Sequence, residues 1–299
     1  MQTATQSPAR GIFWMVVTGL CFVAVTALVK TVGTRIPSTE TAFLRFSFGL
    51  LFMLSAWREL RDFRPTGRQL RLFGIRGVFH TGGVILWFFA MTRIPLAEVT
   101  AMNYLNPVYI TVLAVFVLGE KLAMRRILAV VAALIGAAII LRPGFRELDP
   151  GHIAMLVVAV LFAGSYLTAK ILSGEVSPVV IVAMMSLTVT VGLAPFAIAV
   201  WVWPTWGELG LLFCVALFAT TGHYCMTLAF AAAPVTVTQP VTFLQLVWSV
   251  ILGAAFFGEP ADPFVIAGGA LIMGAVVYIT WREARLKKQR PPLVTESGH

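Results

Sequence analysis

Apolar residues in this chain come in long runs that short polar segments separate. A helix needs about 20 mainly apolar residues to cross the hydrocarbon core of a membrane, and ten runs come close to that length. They cover residues 11–30, 39–57, 72–91, 96–118, 126–142, 151–171, 178–201, 207–230, 235–257 and 263–281. The pattern predicts an all-α integral membrane protein with ten transmembrane helices.

The composition indicates that lipid is the solvent for much of the surface. Of the 299 residues, 59% are hydrophobic and 12% are charged, and the mean hydropathy is +0.90, whereas soluble domains are about 25% charged. The net charge of +9 does not predict nucleic-acid binding, because the basic residues lie in short loops rather than on one face. The three cysteines lie in apolar runs without metal-ligand spacing, so neither a disulfide framework nor a metal site is expected.

Lysine and arginine are divided unequally between alternate loops. If the N-terminus is cytoplasmic, the inner segments hold fifteen of the 22 basic residues and the outer segments hold five. The positive-inside rule then predicts that both termini are cytoplasmic, with a leader at 1–10 and a charged tail at 282–299. We expect a multi-pass protein of a bacterial inner membrane.

The two halves of the chain resemble each other, which predicts a first repeat at 11–142 and a second at 151–281. The matching pairs at an offset of 140 residues are Gly11/Gly151, Met15/Met155, Phe22/Phe162 and Lys30/Lys170, and those at an offset of 139 are Thr81/Thr220, Gly83/Gly222, Pro95/Pro234, Gly119/Gly258 and Glu120/Glu259. Because each repeat has five predicted helices, an odd number, the second repeat must insert upside down. Inverted repeats around a midplane site are typical of alternating-access carriers.

One stretch carries a family signature. The sequence from Ile94 to Tyr109, continuing to Leu118-Gly-Glu-Lys, resembles the fourth-helix signature of the EamA family of the drug/metabolite transporter superfamily. Its counterpart in the second repeat begins at Ala233 and ends at Phe257-Gly-Glu-Pro. The resemblance covers nearly the whole chain and is specific for the fold rather than the substrate.

That resemblance implies a central cavity lined by helices 1, 3, 4, 6, 8 and 9, with helices 5 and 10 packed at one side. Small residues spaced four apart in helix 5 (Ala132 and Gly136) and in helix 10 (Ala270 and Gly274) suit close packing. Members of the family carry amino acids, riboflavin, S-adenosylmethionine or opine-type metallophores such as pseudopaline.

Two ionisable residues inside the predicted helices are candidates for coupling or charge recognition. Arg45 could attract a substrate carboxylate or extend to the outer headgroups. Glu98 could bind a coupling proton or a cationic amine, or it could simply oppose the helix dipole in its first turn. Arg76 is predicted to be a headgroup anchor near the cytoplasmic end of helix 3.

Two histidines lie on matching faces of helices 3 and 8. His223 maps back to position 84, one helical turn from His80. Neutral imidazole can hydrogen-bond a substrate, and its protonation can couple transport to pH. The full set of predicted substrate-binding residues comprises His80, Trp87, Asn103, Tyr104, Tyr166, His223, Tyr224, Gln239, Gln245 and Trp248.

Four further residues are predicted to act in structure or gating. Pro107 and Pro240 each free a backbone carbonyl in helices 4 and 9, although they do not occupy equivalent positions in the two repeats. Glu120 and Glu259 end those helices on opposite sides of the membrane, where each carboxylate needs a basic partner.

These observations predict a secondary transporter, without cofactor, metal or catalytic residues. The expected cargo is a small polar metabolite that is zwitterionic or bears a carboxylate, such as an amino acid or an amino-acid-derived opine metallophore, and the expected direction is export. Uptake of riboflavin or of another vitamin-like or nucleoside-like metabolite is the alternative. A membrane enzyme is less favoured, because no nucleophile–base pair or acidic metal motif is visible in the sequence. A passive channel would differ from a carrier in showing transport without saturation or counter-ion dependence. The expected partners are the substrate, the lipid bilayer and a proton or other coupling ion, with the oligomeric state left open.

Overall fold

The computed structural model describes residues 7–52, 57–118, 124–145, 147–172, 175–233, 238 and 241–289. Within these residues the regular elements are α-helices. They are α1 (Pro8–Val32), α2 (Ser38–Phe52), α3 (Trp57–Asp62), α4 (Gly67–Met91), α5 (Leu96–Asn103), α6 (Asn106–Leu118), α7 (Met124–Leu141), α8 (Pro150–Leu172), α9 (Pro178–Ala199), α10 (Trp206–Ala232), α11 (Leu244–Phe257) and α12 (Pro263–Gln289).

Six of these helices are long and apolar enough to cross a membrane. They are the helices that contain Pro8–Val32, Gly67–Met91, Pro150–Ala169, Val179–Ala199, Trp206–Met226 and Pro263–Arg282. Two shorter apolar helices, at Ile127–Leu141 and Leu244–Phe257, add to them. The all-helical architecture and the apolar spans agree with the membrane protein that the sequence predicts.

The predicted helix at 96–118 is not continuous. It is divided into α5 and α6, and Leu105 donates its N–H to the carbonyl of Met102 at 3.0 Å, a tight bond that closes the end of α5. Pro107 has no N–H to give to the carbonyl of Asn103, four residues earlier, so the regular hydrogen-bond ladder cannot run through this point. The break therefore lies just before the proline.

Two other predicted boundaries also shift. The run at 39–57 corresponds to α2, which is followed after an undescribed gap by the short helix α3. The regular part of the run at 235–257 is α11, and residues 234–237, 239 and 240 lie outside the described residues.

Hydrogen bonds and ion pairs between helix ends define two ends of the bundle. At the upper end, Arg142 after α7 pairs with Asp262 before α12, and Lys30 of α1 pairs with Glu259 after α11. At the lower end, the N–H of Ser7 donates to the carbonyl of Ala232 at 3.0 Å, which joins the start of α1 to the end of α10. The two ends thus face opposite sides of any membrane that the helices cross.

The helices pack most extensively as four pairs, namely α1 with α10, α4 with α8, α7 with α12 and α2 with α9. The short helix α5 lies in the core, where every residue from Leu96 to Met102 is buried. Helices α1, α8, α11 and α12 all contact it. The first turn of α5 is therefore a junction between both halves of the chain.

Helices α7 and α12 approach each other at two glycines. A Cβ built on Gly136 would lie 2.7 Å from the carbonyl oxygen of Gly268, and one built on Gly268 would lie 2.5 Å from that of Gly136. Gly136 is thus at the contact, as predicted. The prediction for helix 10 is wrong, because Ala270 is exposed and a Cβ on Gly274 would meet nothing within 4 Å. At this contact a glycine of α7 faces a glycine of α12. How the two helices are aligned along their axes therefore follows from their packing.

Candidate functional site

A group of basic and hydrogen-bonding side chains lies in the interior, between α2, α4, α8 and α10. We call it the central cluster, and its members are Arg45, Arg76, His80, Tyr166 and His223. The ring of Phe46 contacts the guanidinium of Arg45, and its centre lies 6.0 Å from that of the His80 ring. Residues of four helices are thus neighbours in this region.

The two arginines are held by different contacts. The guanidinium carbon of Arg45 lies 3.9 Å from the ring centre of Phe46, and its Nε is buried without a hydrogen-bond partner among the described residues. Arg76 donates to the carbonyl oxygen of Ile181 at 2.9 Å and contacts the sulfur of Met185 at 3.2 Å. With 5% of its surface exposed, Arg76 is not the headgroup anchor that the sequence predicted.

Within the described part of the chain, neither arginine is paired with a carboxylate. A buried guanidinium without an anion is costly, because the charge loses its water and gains only weak compensation. The Nε of Arg76, like that of Arg45, has no hydrogen-bond partner in this part of the structure. The arrangement is suited to receive an anionic group from outside the chain.

Each histidine of the cluster packs on a phenylalanine. The ring centre of His80 lies 5.0 Å from that of Phe162, and the ring centre of His223 lies 5.1 Å from that of Phe22. Phe22 and Phe162 are a matching pair of the sequence repeat. His80 Nδ1 is also 3.1 Å from the hydroxyl of Ser165, and His223 Nδ1 is 2.7 Å from the carbonyl of Ala219.

Aromatic rings extend from the cluster along α4 and α8. Phe162 lies 6.0 Å from Tyr166 and 6.3 Å from Trp87, measured between ring centres. Tyr166 is 38% exposed although its neighbour His80 is 6% exposed, so its ring borders open space. This wall could stack against a planar part of a ligand.

Among the other buried polar atoms that have no hydrogen-bond partner in the described residues, three belong to tryptophan and asparagine side chains. They are the indole nitrogens of Trp87 and Trp248 and the side-chain oxygen of Asn106. Polar atoms in such settings are usually satisfied. Unused donors and acceptors in the interior of a membrane protein are candidates for ligand contacts.

The remaining predicted binding residues have different settings. Tyr104 is buried, and its hydroxyl donates to the carbonyl of Thr242 at 2.9 Å, which ties the end of α5 to the segment before α11. Asn103 and Gln245 are half-buried, whereas Tyr224 is 65% exposed. Gln239, Pro240 and Glu120 lie outside the described residues.

A second polar group surrounds the first turn of α5, and we call it the upper-end cluster. Its members are Lys30, Glu98, His152 and Glu259. Lys30 pairs with Glu259 and also donates to the carbonyl of Ile94 at 3.1 Å, and the N–H of Leu96 donates to Glu259 at 2.9 Å. Glu259 thus has the basic partner that its position at a helix end predicted, and that partner comes from the other half of the chain.

Glu98 pairs with His152, and the two residues are 3% and 4% exposed. The other ring nitrogen of His152, Nδ1, lies 3.2 Å from the carbonyl oxygen of Asp149. Sequence reasoning missed His152. The signal available was its place in the first turn of an apolar run, at the position where the first repeat has Ile12.

Among the described residues, no group of three His, Cys, Asp or Glu side chains could hold a metal ion.

Comparison with known proteins gives consistent matches over the whole chain. A model of the EamA-like transporter family matches residues 9–142 and again 149–281. A solved crystal structure is similar to this chain with a TM-score of 0.60 and 20% sequence identity. The match covers 94% of this chain and 100% of the chain in that structure, and it shows a shared fold alone.

Three curated relatives are named for the transport of three different small molecules. The chain is 27% identical to an S-adenosylmethionine uptake transporter of Rickettsia prowazekii, over 95% of this chain and 97% of that protein. It is 28% identical to a riboflavin transporter of Rhizobium johnstonii, over 93% of each. It is 24% identical to the pseudopaline exporter CntI of Pseudomonas aeruginosa, over 90% of this chain and 95% of that protein.

Proposed function

The chain belongs to the EamA-like transporter family, and from this we propose that it is a secondary transporter for a small, carboxylate-bearing metabolite derived from an amino acid. The relatives are named as carriers of small molecules, but their cargoes and directions differ. The choice among substrates therefore rests on the interior of this chain.

The observation that supports the proposal is the pair of arginines in the central cluster, of which Arg76 is buried and Arg45 is half-buried with its Nε inaccessible. A guanidinium in a site from which water is excluded attracts a carboxylate strongly and can bind it through two parallel hydrogen bonds. His80 and His223 can hydrogen-bond other polar groups of the same ligand. The rings of Phe162, Tyr166 and Trp87 suit an apolar or planar remainder.

Alternating access follows if the two halves are inverted repeats, and two contacts support this arrangement. A Cβ on Gly83 would lie 2.6 Å from the ring of Phe162, and a Cβ on Gly222 would lie 3.1 Å from the ring of Phe22. These residues are matching pairs of the sequence repeat, so the α4–α8 contact has its counterpart in the α1–α10 contact. In this proposal ten helices span the bacterial inner membrane, and the lower end, with both termini, faces the cytoplasm.

The experiment uses the purified full-length protein in lipid nanodiscs and in proteoliposomes. Candidate ligands are tested by thermal stabilisation, each as the free acid and as its methyl ester, beginning with S-adenosylmethionine and proteinogenic amino acids. We expect acids to bind and esters to bind poorly, because the ester has no carboxylate to pair with the arginines. Uptake and efflux of each binder from proteoliposomes then measure the direction of transport, for which we predict export.

The variant Arg45→Gln removes one guanidinium. A hydrogen bond to a charged group contributes about 1.5–3 kcal/mol, so the dissociation constant of the acid should rise roughly 10- to 100-fold while that of the ester changes little. Arg61→Gln is the matched control, because Arg61 is exposed and pairs only with the adjacent Asp62 among the described residues. An Arg45→Gln variant that binds the acid as tightly as the parent does would contradict the proposed role.

Riboflavin is the second candidate, and the aromatic wall is the observation that favours it. A flavin ring could stack on Trp87 and Phe162 without using the arginines. In that case riboflavin, rather than any carboxylate, would stabilise the protein and be transported. Trp87→Ala would then abolish binding, whereas His80→Gln and Arg45→Gln would leave it unchanged.

A further inference from the structure

Glu40, in the first turn of α2, is a fully buried carboxyl group at the upper end of the bundle. Its side chain is 0% exposed, and it has no part in the substrate site just proposed. The oxygen Oε2 accepts the N–H of Val202 at 2.9 Å, from the segment 200–205 between α9 and α10. The other oxygen, Oε1, is buried and has no hydrogen-bond partner among the described residues. A single hydrogen bond thus joins this carboxyl group to the second half of the chain.

Aromatic rings cover the side of α2 that carries Glu40. Phe43 lies three residues later, on the same face of the helix. The ring centre of Phe43 is 6.2 Å from that of Trp201, which in turn is 5.9 Å from that of Trp203. The segment that donates a hydrogen bond to Glu40 therefore also shields this face from water.

The charged groups near Glu40 provide no counter-ion for it. Arg35, in the α1–α2 loop, donates to both carboxylate oxygens of Glu208 in the first turn of α10, so its charge is already neutralised. Arg45, five residues further along α2, and Arg93, in the α4–α5 loop, each lie over a phenylalanine ring. Residues 193–207, from the end of α9 to the start of α10, contain no charged side chain, and neither do residues 85–92 at the end of α4.

We propose that Glu40 is a proton-binding site of this carrier, protonated while the upper end is closed and ionised when that end opens. An ionised carboxylate at this place would lose its water and gain one N–H bond at one of its two oxygens, which does not replace its hydration. The dipole at the start of α2 attracts an anion, but it supplies no donor to Oε1. A neutral carboxylic acid accepts the same N–H and avoids burying a charge.

Proton binding and closure of the upper end are then linked. Opening would separate α2 from the segment 200–205 and expose the carboxyl group to water, where a glutamate has a pKa of about 4.3 and is ionised at neutral pH. Each molecule that opens therefore releases one proton, and each molecule that closes binds one. The ion pair of Arg35 with Glu208 joins the same two parts of the chain and must break in the same movement.

This inference rests on the proposed carrier function, but its two tests need no substrate. The first test detects the proton by infrared spectroscopy of the full-length protein at neutral pH, in micelles of a detergent without ester groups. A carboxylic acid has a C=O stretching band that disappears when the group ionises. We expect the parent to show such a band and Glu40→Gln to lack its contribution. Asp62→Asn is the matched control, because Asp62 is 72% exposed and its substitution should leave the band unchanged.

The second test measures opening of the upper end. Cys21, Cys214 and Cys225 are replaced by alanine, and a single cysteine is introduced by Ala42→Cys, two residues from Glu40 at a position that is 0% exposed. A small water-soluble maleimide then labels the protein in nanodiscs over a range of pH. Glu147→Cys, at an exposed position of the α7–α8 loop, gives the intrinsic pH dependence of thiol labelling.

We expect the labelling rate at position 42, divided by that at position 147, to rise with pH by up to about tenfold per unit, because opening releases one proton. Glu40→Gln should keep this ratio low at every pH, since its amide is neutral, as the acid is, and does not titrate. Glu40→Met should also abolish the pH dependence, and it serves as the second variant if Glu40→Gln is unstable in size-exclusion chromatography. Asp62→Asn should behave like the parent.

A parent spectrum without a carboxylic acid band that substitution of Glu40 removes would overturn the proposal. A parent labelling ratio that does not change with pH would also overturn it, as would a parent-like pH dependence in both Glu40 variants. Failure of every tested metabolite to bind or to be transported would instead contradict the proposed carrier function, and the infrared and labelling results would stand apart from it.

Discussion

The contact between α7 and α12 gives a prediction whose magnitude follows from the geometry. Replacing Gly268 by alanine would place a Cβ 2.5 Å from the carbonyl oxygen of Gly136, against an ordinary contact distance of 3.4 Å or more. The difference, 3.4 minus 2.5 Å, is about 0.9 Å. Because the opposing atom belongs to the backbone of a helix, it cannot turn away, and the two helices must move apart.

The matched control is Gly274→Ala on the same helix, where a Cβ would meet nothing within 4 Å. Both substitutions gain about 0.5–1 kcal/mol from the lower backbone entropy of alanine in the unfolded chain. Overpacking costs about 1–3 kcal/mol, and Gly268→Ala alone should show it. We therefore expect Gly268→Ala to be about 1–3 kcal/mol less stable than Gly274→Ala, a difference of roughly fivefold to more than a hundredfold in the folding equilibrium.

Equilibrium unfolding in mixed detergent micelles measures both free energies of unfolding under one set of conditions. Gly136→Ala should behave like Gly268→Ala, because its Cβ would lie 2.7 Å from the carbonyl oxygen of Gly268. Equal stability of Gly268→Ala and Gly274→Ala would refute the helix register. A less stable Gly274→Ala would restore the packing role that the sequence alone assigned to Gly274.

Two further predictions concern the ends of the bundle. For Lys30 and Glu259, a double-mutant cycle with Lys30→Met and Glu259→Gln should give a coupling energy of about 0.5–3 kcal/mol, because both side chains are less than a fifth exposed. Thermal or denaturant unfolding of the parent, the two single variants and the double variant measures this energy. Additive effects of the two substitutions would argue against the ion pair. At the lower end, hydrogen bonds from Arg68 and Gln69 lower the pKa of Glu175 in the folded protein. These bonds therefore stabilise the fold fully at a pH above the pKa that Glu175 has in the unfolded chain, and the stabilisation is lost as the pH falls through the lower pKa of the folded state. The melting temperature of Arg68→Gln should therefore lie slightly below that of the parent at neutral pH and converge with it in acid, and a gap that widens on acidification would contradict this sign.

Much of the fold could be predicted because its main determinant is local. A run of about 20 apolar residues cannot satisfy its backbone in lipid except as a helix, so hydropathy alone places the helices. The break between α5 and α6 could be predicted only in part. Pro107 marks the region, but the helix ends at Asn103 because the N–H groups that follow bond to nearer carbonyls.

Less of the candidate site could be predicted. His80, His223 and Arg45 stand out as polar residues in apolar runs, and their role in binding stays a prediction. Arg76 looked like a headgroup anchor because its distance along the helix suggested the membrane surface, whereas its side chain turns inward to α9. His152 and Glu98 are 54 residues apart, and no local pattern connects them.

By itself, then, the sequence determined the membrane environment, the positions of the apolar helices, the family and the type of chemistry available in the interior. These follow from properties that each segment has alone, namely its hydropathy, its breaks and its motifs. Only the tertiary structure decided which residues meet: Gly136 with Gly268, Lys30 with Glu259, and Glu98 with His152. Helices that are apolar on most of their surface can rotate and slide without changing their hydropathy, so their partners are decided by side-chain shape and by the few buried charges that must be paired.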